Sequence, residues 1–190
     1  VMVISTVGFI AMNRTFSRGN VRKQLSEAVQ LTIEDITRIA RQVPQGKGEA
    51  KFCDANISPP STGCVAGWSS VCLTGARYFW RVTTDTGGLW KDSKGCSETP
   101  DPSISLKLMD DRYKVAKLNI KNIDIFGATP NSTDYLFKIE GVFRTAEDTA
   151  FKDINNPDNV KCLGSSQSSA ARTCAVEQFN FIINRRGKEL

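Results

Sequence analysis

Along the first 43 residues the spacing of apolar side chains changes once, and the change divides one expected helix into two stretches of different character. Residues 1–12 (VMVISTVGFIAM) carry no charge and no proline, and Val3, Val7, Ile10 and their neighbours are apolar around the whole helical circumference. Beyond Asn13 the apolar positions narrow to Phe16, Val21, Leu25, Val29, Ile33, Ile36, Ala40 and Val43, and from Val21 the steps are three or four residues, the helical period. Charges fill the remaining faces, and Pro44, followed by Gly46 and Gly48, ends the helix. At 1.5 Å per residue this rod is about 65 Å long, twice the diameter of a small domain, so the rest of the chain cannot cover both halves. The stripe of Leu25, Val29, Ile33 and Ile36 is therefore expected to pack on the globular part, and Val3, Val7 and Ile10 to be buried by something outside it. Twelve apolar residues fall short of the roughly 20 that cross a bilayer, and the run is expected to be the second half of a longer hydrophobic segment preceding Val1. A signal-peptide end fits less well, since such a segment is removed and does not run on into an amphipathic helix.

Residues 44–76 lack a sustained period and are rich in turn formers, which predicts a cysteine-stapled connector rather than a linker between domains. Strand character follows at Tyr78 to Thr83, Ile104 to Met109, Tyr113 to Ile120, Ile123 to Phe126, Tyr135 to Phe143 and Val176 to Asn184. In YLFKIEGVF, Leu136, Lys138, Glu140 and Val142 fall on one face and Tyr135, Phe137, Ile139 and Phe143 on the other. FNFIIN repeats the alternation, with Phe179, Phe181 and Ile183 inward. Gly87-Gly88 and Asp110-Asp111 are expected to join neighbouring antiparallel strands. The fold class expected is α+β: a helix over 1–43 packed by its second half on the antiparallel sheet of a single domain over 44–190.

Charge adds little to this picture, because 1–43 hold +3 of the net +5 and the globular part is nearly balanced. A basic nucleic-acid face is not indicated. Cysteine usage adds more. Cys53, Cys64, Cys72, Cys96, Cys162 and Cys174 all lie outside the rod, and an even number in loop-rich surroundings suggests an oxidised, extracytoplasmic domain. Six cysteines allow 15 pairings. Sequential pairing closes the shortest loops, including the C-terminal loop 162–174, and is the expected connectivity; bridges of that span contribute about 3 kcal/mol each.

Candidate chemistry is sparse. The chain has no histidine and no CxxC pair, which removes the usual parts of zinc, haem and Ser/His/Asp sites. Asp110, Asp111 and Glu140 lack the context of an acid/base pair and read as surface or turn carboxylates, so neither catalytic residues nor a cofactor are expected. Asp153, Asn155 and Asp158 offer closely spaced oxygens that could hold calcium, but without an EF-hand glycine and closing glutamate they read first as a turn cluster. Trp68, Tyr78, Trp80 and Trp90 are expected to form a hydrophobic core around the second bridge rather than a binding platform. Sequons stand at Asn13, Asn56 and Asn131.

The segment VMVISTVGFIAMNRTFSRGNVRKQLSEAVQLTIEDITRIARQV, with the late Cys162 to Cys174 pair, resembles the type IV pilin family, and most of all its minor pilins and the J-type pseudopilins of type II secretion. The mid-helix proline common in major pilins is missing here, which suits a minor subunit. The resemblance implies a structural subunit that is membrane-anchored before assembly and then buried by its apolar half among other pilin subunits, displaying its globular part at the cell surface for adhesion, motility or DNA uptake. Its surface ligand is not specified. A membrane-anchored extracytoplasmic binding protein that never polymerises is the alternative; a secreted enzyme fits least.

Overall fold

The computed structural model of the chain describes residues 2–42, 51–53, 64–73, 75–81, 87–124, 135–153, 156–163 and 173–184. Helix α1 spans Met2–Gln42 with Arg41 in its last turn, where a cation complements the helix dipole. Among the described residues ten strands follow, all paired antiparallel. β1 (Lys51–Cys53), β2 (Ser69–Leu73), β3 (Ala76–Trp80), β4 (Leu89–Asp92) and β5 (Leu106–Met109) form a five-stranded meander in chain order. β6 (Tyr113–Asp124), β7 (Tyr135–Thr145) and β10 (Val176–Asn184) form a three-stranded sheet with β7 at its centre, and β8 (Phe151–Lys152) pairs with β9 (Lys161–Cys162) in a short ladder.

This overturns the expected fold class. The chain is not a pilin-like long helix packed on one sheet; among the described residues the strands are divided among three sheets, and the single α-helix adds one stripe to a core that strands otherwise build. The expected connector is corrected as well, since 44–76 holds β1, β2 and the start of β3. Leu73 and Ala76 pair across a tight turn in which Gly75 has φ +84°, a conformation that glycine adopts without penalty. β4 gives no strand signal in the sequence, because four residues, LWKD, are too few to establish alternation.

Of the two expected turns, Gly87-Gly88 lies as expected between the antiparallel partners β3 and β4, whereas Asp110-Asp111 does other work. Asp110-Asp111 carries the chain from β5 to β6, which lie in different sheets and do not pair. Gly87 and Gly88 donate their N–H groups to the carbonyls of Asp111 and Tyr113 at 3.1 and 2.8 Å, stitching the two sheets together. A Cβ on Gly87 would stand 1.9 Å from the Tyr113 carbonyl oxygen, so only glycine permits this approach.

The main core lies where the helix meets both large sheets. Leu25, Val29, Ile36 and Ala40 of α1 share it with Val71, Tyr78 and Trp80 of the five-stranded sheet and Leu118, Ile120, Phe137, Ile139 and Phe143 of the three-stranded one. A smaller cluster of Ala150, Phe151, Val160 and Cys174 underlies the β8–β9 ladder. On β7 the inward face is Phe137, Ile139, Gly141 and Phe143; the ring of Phe179, cross-strand from Gly141, covers the gap that the glycine leaves.

Candidate functional site

Of the expected packing residues, Leu25, Val29 and Ile36 are fully or almost fully buried, whereas Ile33 is only partly so. At 100° per residue Thr32 and Ile33 flank the arc occupied by positions 25, 29, 36 and 40, each about 20° outside it on opposite sides, and it is the Thr32 side that the body covers. Thr32 is 1% exposed and tolerates this because its hydroxyl donates to the Ala28 carbonyl at 2.9 Å. Ile33 instead borders a shallow surface cleft with Glu34, Thr37, Arg38, Arg41 and Gln42.

Besides the shared apolar core, a polar anchor ties the helix to the five-stranded sheet. Tyr78 on β3 and Lys91 on β4 are cross-strand partners, and both reach the carboxylate of Asp35 on α1. Lys91 Nζ donates at 2.7 and 2.9 Å to its two oxygens, the Tyr78 hydroxyl at 2.9 Å, and Arg38 Nη2 at 2.6 Å. Burial by itself pushes the Asp35 carboxyl up, but the hydrogen bonds from Lys91, Arg38 and Tyr78 and the charge of Lys91 outweigh it, holding the group below its ordinary value. Burial first, and then the neighbouring carboxylate, drive the Tyr78 phenol far upward. Asp35 is therefore an ionised anchor at neutral pH, and Tyr78 a permanent donor to it.

On the opposite face of the same sheet, Arg77 is completely buried. Its Nε and Nη2 grip both oxygens of Asp92 as a fork, with Nε at 3.0 Å, and Nη1 donates to the carbonyls of Gly95, at 2.9 Å, and Glu98. The guanidinium thereby pins the segment beyond β4 that carries Cys96. Tyr78 and Trp80 belong to the main core, while Trp68, Phe79 and Trp90 pack together on the side away from it; the expected single aromatic cluster is two clusters, because odd and even positions of β3 face opposite ways.

The bridges are Cys53–Cys64, Cys72–Cys96 and Cys162–Cys174, with Cα separations of 5.5, 5.9 and 5.8 Å. This is the sequential pairing. Cys162–Cys174 ties β9 to the approach to β10; the residues 164–172 within that loop lie outside the described residues.

The carboxylates weighed for chemistry are committed to local pairing. Hydrogen bonding and charge from Lys138, aided by Lys117, hold Glu140 below its ordinary value, and the backbone N–H of Arg112 does the same for Asp110. Asp111 pairs with Lys107 at 2.8 Å. Of the calcium candidates, Asn155 lies outside the described residues. Asp153 occupies a left-handed turn position with φ 57°, and Asp158 accepts from Lys117 at 2.6 Å, so turn geometry and an ion pair use these groups. No group of three metal-ligating side chains occurs among the described residues.

Val3, Val7 and Ile10 lie on α1, and their side chains are outside the described residues. From residue 15 to 20 the helix is exposed except for half-buried Ser17, and Phe16 is 68% exposed. Among the described side chains of α1, those that reach the core fall between Val21 and Ala40. The turns from Met2 to Asn20, about 28 Å of helix, therefore extend past the point where the core begins. No helix among the described residues is long and apolar enough to cross a membrane. Compared with protein-family models, curated proteins and solved structures, the chain matches none.

Proposed function

We propose that the protein is a structural subunit of an extracytoplasmic filament of the type IV pilus kind, working by assembly rather than catalysis. In this reading it is held at the membrane by the first part of α1 before assembly, makes contact with other subunits through the same segment, and displays its β-rich body at the cell surface. One observation carries the reading: α1 is 41 residues long, yet among its described side chains those that reach the core fall between Val21 and Ala40, and residues 1–12 of the sequence are apolar on every side. An apolar helical segment gains roughly 1.5 to 3 kcal/mol for each large side chain that partner helices or lipid remove from water. Three disulfides agree with an oxidising compartment.

Val7→Lys and Ile10→Lys test this in cells expressing the full chain. Both should leave the melting temperature unchanged and abolish incorporation into surface filaments, because a charge among packed apolar helices costs several kcal/mol. Normal incorporation of both variants would end the filament reading. The second reading, an anchored protein that never polymerises, draws on the division of the body into three sheets, which departs from the layout that the pilin resemblance implies. Unmodified protein that fractionates with membranes and is absent from every filament would favour it.

A further inference from the structure

The three-stranded sheet buries two cations side by side. Lys114 on β6 and Arg144 on β7 are cross-strand partners, 5% and 6% exposed, and their chain neighbours Val115 and Phe143 point the other way, into the main core. The segment that leads into β8 covers the pair: the Phe151 ring lies 4.9 Å from the Arg144 guanidinium, and Asp148, in the 3₁₀ turn just before it, supplies a carboxylate. Lys114 Nζ stands 3.1 Å from both oxygens of Asp148 and Arg144 Nη1 2.7 Å from Oδ1, so two cations share one acid. Like charges directly opposite one another destabilise a strand pair, and buried charges need both counter-ions and acceptors. Neighbouring acids do not supply them. Glu147 is exposed, Glu140 and Asp158 are held by Lys138 and Lys117, and Glu177 is cross-strand from Phe143, on the opposite face.

Arg77 shows how this protein satisfies a buried guanidinium. Its Nε and Nη2 take both oxygens of Asp92, and its Nη1 takes two carbonyls. In Arg144 the Nη1 end is occupied by Asp148 and by the Thr145 carbonyl at 3.2 Å, whereas Nε, half of the edge that Arg77 uses, is buried without an acceptor. Buried donors are rarely left so.

We propose that Lys114 and Arg144 form a binding site for a small oxyanion, a phosphate, sulfate or carboxylate, with the Nε edge of Arg144 taking two of its oxygens and Asp148 standing as the plug at the mouth. The side chain of Asp148 is 46% exposed, so solvent reaches the cluster there. Burial by itself raises its carboxyl, but the hydrogen bonds from Arg144 and Lys114 hold it below its ordinary value, and the plug is ionised at neutral pH. An added negative charge balances the second cation, and a planar fork selects an acceptor with two oxygens over a single-atom anion such as chloride.

Thermal melting of the full 190-residue chain at fixed ionic strength tests this, with phosphate, sulfate or acetate exchanged against chloride. The oxyanions should raise the midpoint saturably, by about 4 °C when phosphate stands at about ten times its dissociation constant. Arg144→Lys keeps the charge and removes the fork; with its near-ultraviolet dichroism unchanged, it should lose the preference for oxyanions over chloride. Asp148→Asn removes the plug and should bind phosphate about tenfold more tightly by calorimetry. K152Q/K161Q, which removes the exposed lysine pair of the β8–β9 ladder, should leave the response intact. Equal midpoints of the unmodified protein in all four anions overturn the proposal and leave water as the partner of Arg144. A response confined to Asp148→Asn also overturns it, since Asp148 would then be the permanent occupant. A full phosphate response in Arg144→Lys, or its loss in K152Q/K161Q, would move the anion to the surface lysines, against the proposal.

Discussion

The two large sheets solve the same problem by different means. The three-stranded sheet has strands of 12, 11 and 9 residues, so its ladders are long, its apolar alternation is repeated several times, and no disulfide links its strands to one another. The five-stranded sheet has strands of three to five residues. Too short to hold one another by pairing alone, they are fixed by cross-links: Cys53–Cys64 on β1, Cys72–Cys96 on β2, the Arg77–Asp92 fork between β3 and β4, and the Asp35 anchor from the helix. Where the ladder is long the fold is distributed. Where it is short, individual side chains matter.

The contrast is sharpest at Arg77. Arg77→Met removes the charge but leaves Asp92 and two carbonyls without their donor, and should destabilise the protein by about 3–5 kcal/mol in urea titrations. A loss under 1 kcal/mol would show that the sheet does not depend on the fork. Removing the Cys72–Cys96 bridge as a double alanine variant frees a loop of 24 residues and should cost about 3.5 kcal/mol. Amide exchange locates the damage: β1 to β3 should lose protection first while β6, β7 and β10 retain theirs. Uniform loss across both sheets would erase the distinction between them.

In the three-stranded sheet the equivalent weak point is steric. Gly141→Ala places a Cβ within 2.3 Å of the Phe179 ring and should cost about 1–3 kcal/mol, most of it recovered when Phe179 is shortened to Leu. Additive losses in the double variant would mean that the two positions do not share one space.

The smallest effect concerns pH. The Asp35 carboxyl is held below its ordinary value in the fold, so its stabilisation is present above about pH 4 and is lost as the pH falls through the folded value. The Tyr78 phenol is raised, so its contribution is present below about pH 10 and declines once the unfolded chain ionises there and the folded one does not. Asp35→Asn should lower the plateau by about 1 kcal/mol and flatten the acid limb of a stability profile. An acid limb as steep as before would assign it to other carboxylates, Asp148 first.

The same division explains what the sequence disclosed. β6, β7 and β10 were legible because each repeats its alternation over nine or more residues, although β6 runs on through the expected gap, where Lys121 and Asn122 pair with Lys138 and Phe137 in unbroken register. The stripe on α1 was legible for the same reason, with an error of one position at Ile33. β1, β2 and β4 were not, since three to five residues offer one or two alternations and sit among turn formers. Asp35 and Arg77 were passed over because a charged residue beside an apolar stripe, or inside ARYFW, usually faces solvent. Only the cross-strand placement of Tyr78 with Lys91, and the return of the chain through Gly95 and Glu98, give those charges partners. The cysteine spacing disclosed the bridges but not the number of sheets that they staple.

The seating of α1 has a mechanical consequence. Leu25, Val29, Ile36 and Ala40 grip the helix over about four turns along its own axis, and Asp35 clamps it sideways to β3 and β4. A pull on the projecting end acts along that axis, so every contact is sheared at once rather than peeled in succession. Tension divides between a stapled sheet and a laddered one, and Gly87 and Gly88, bonded across the seam, keep the two from sliding apart. The body is built to resist being drawn off its own handle.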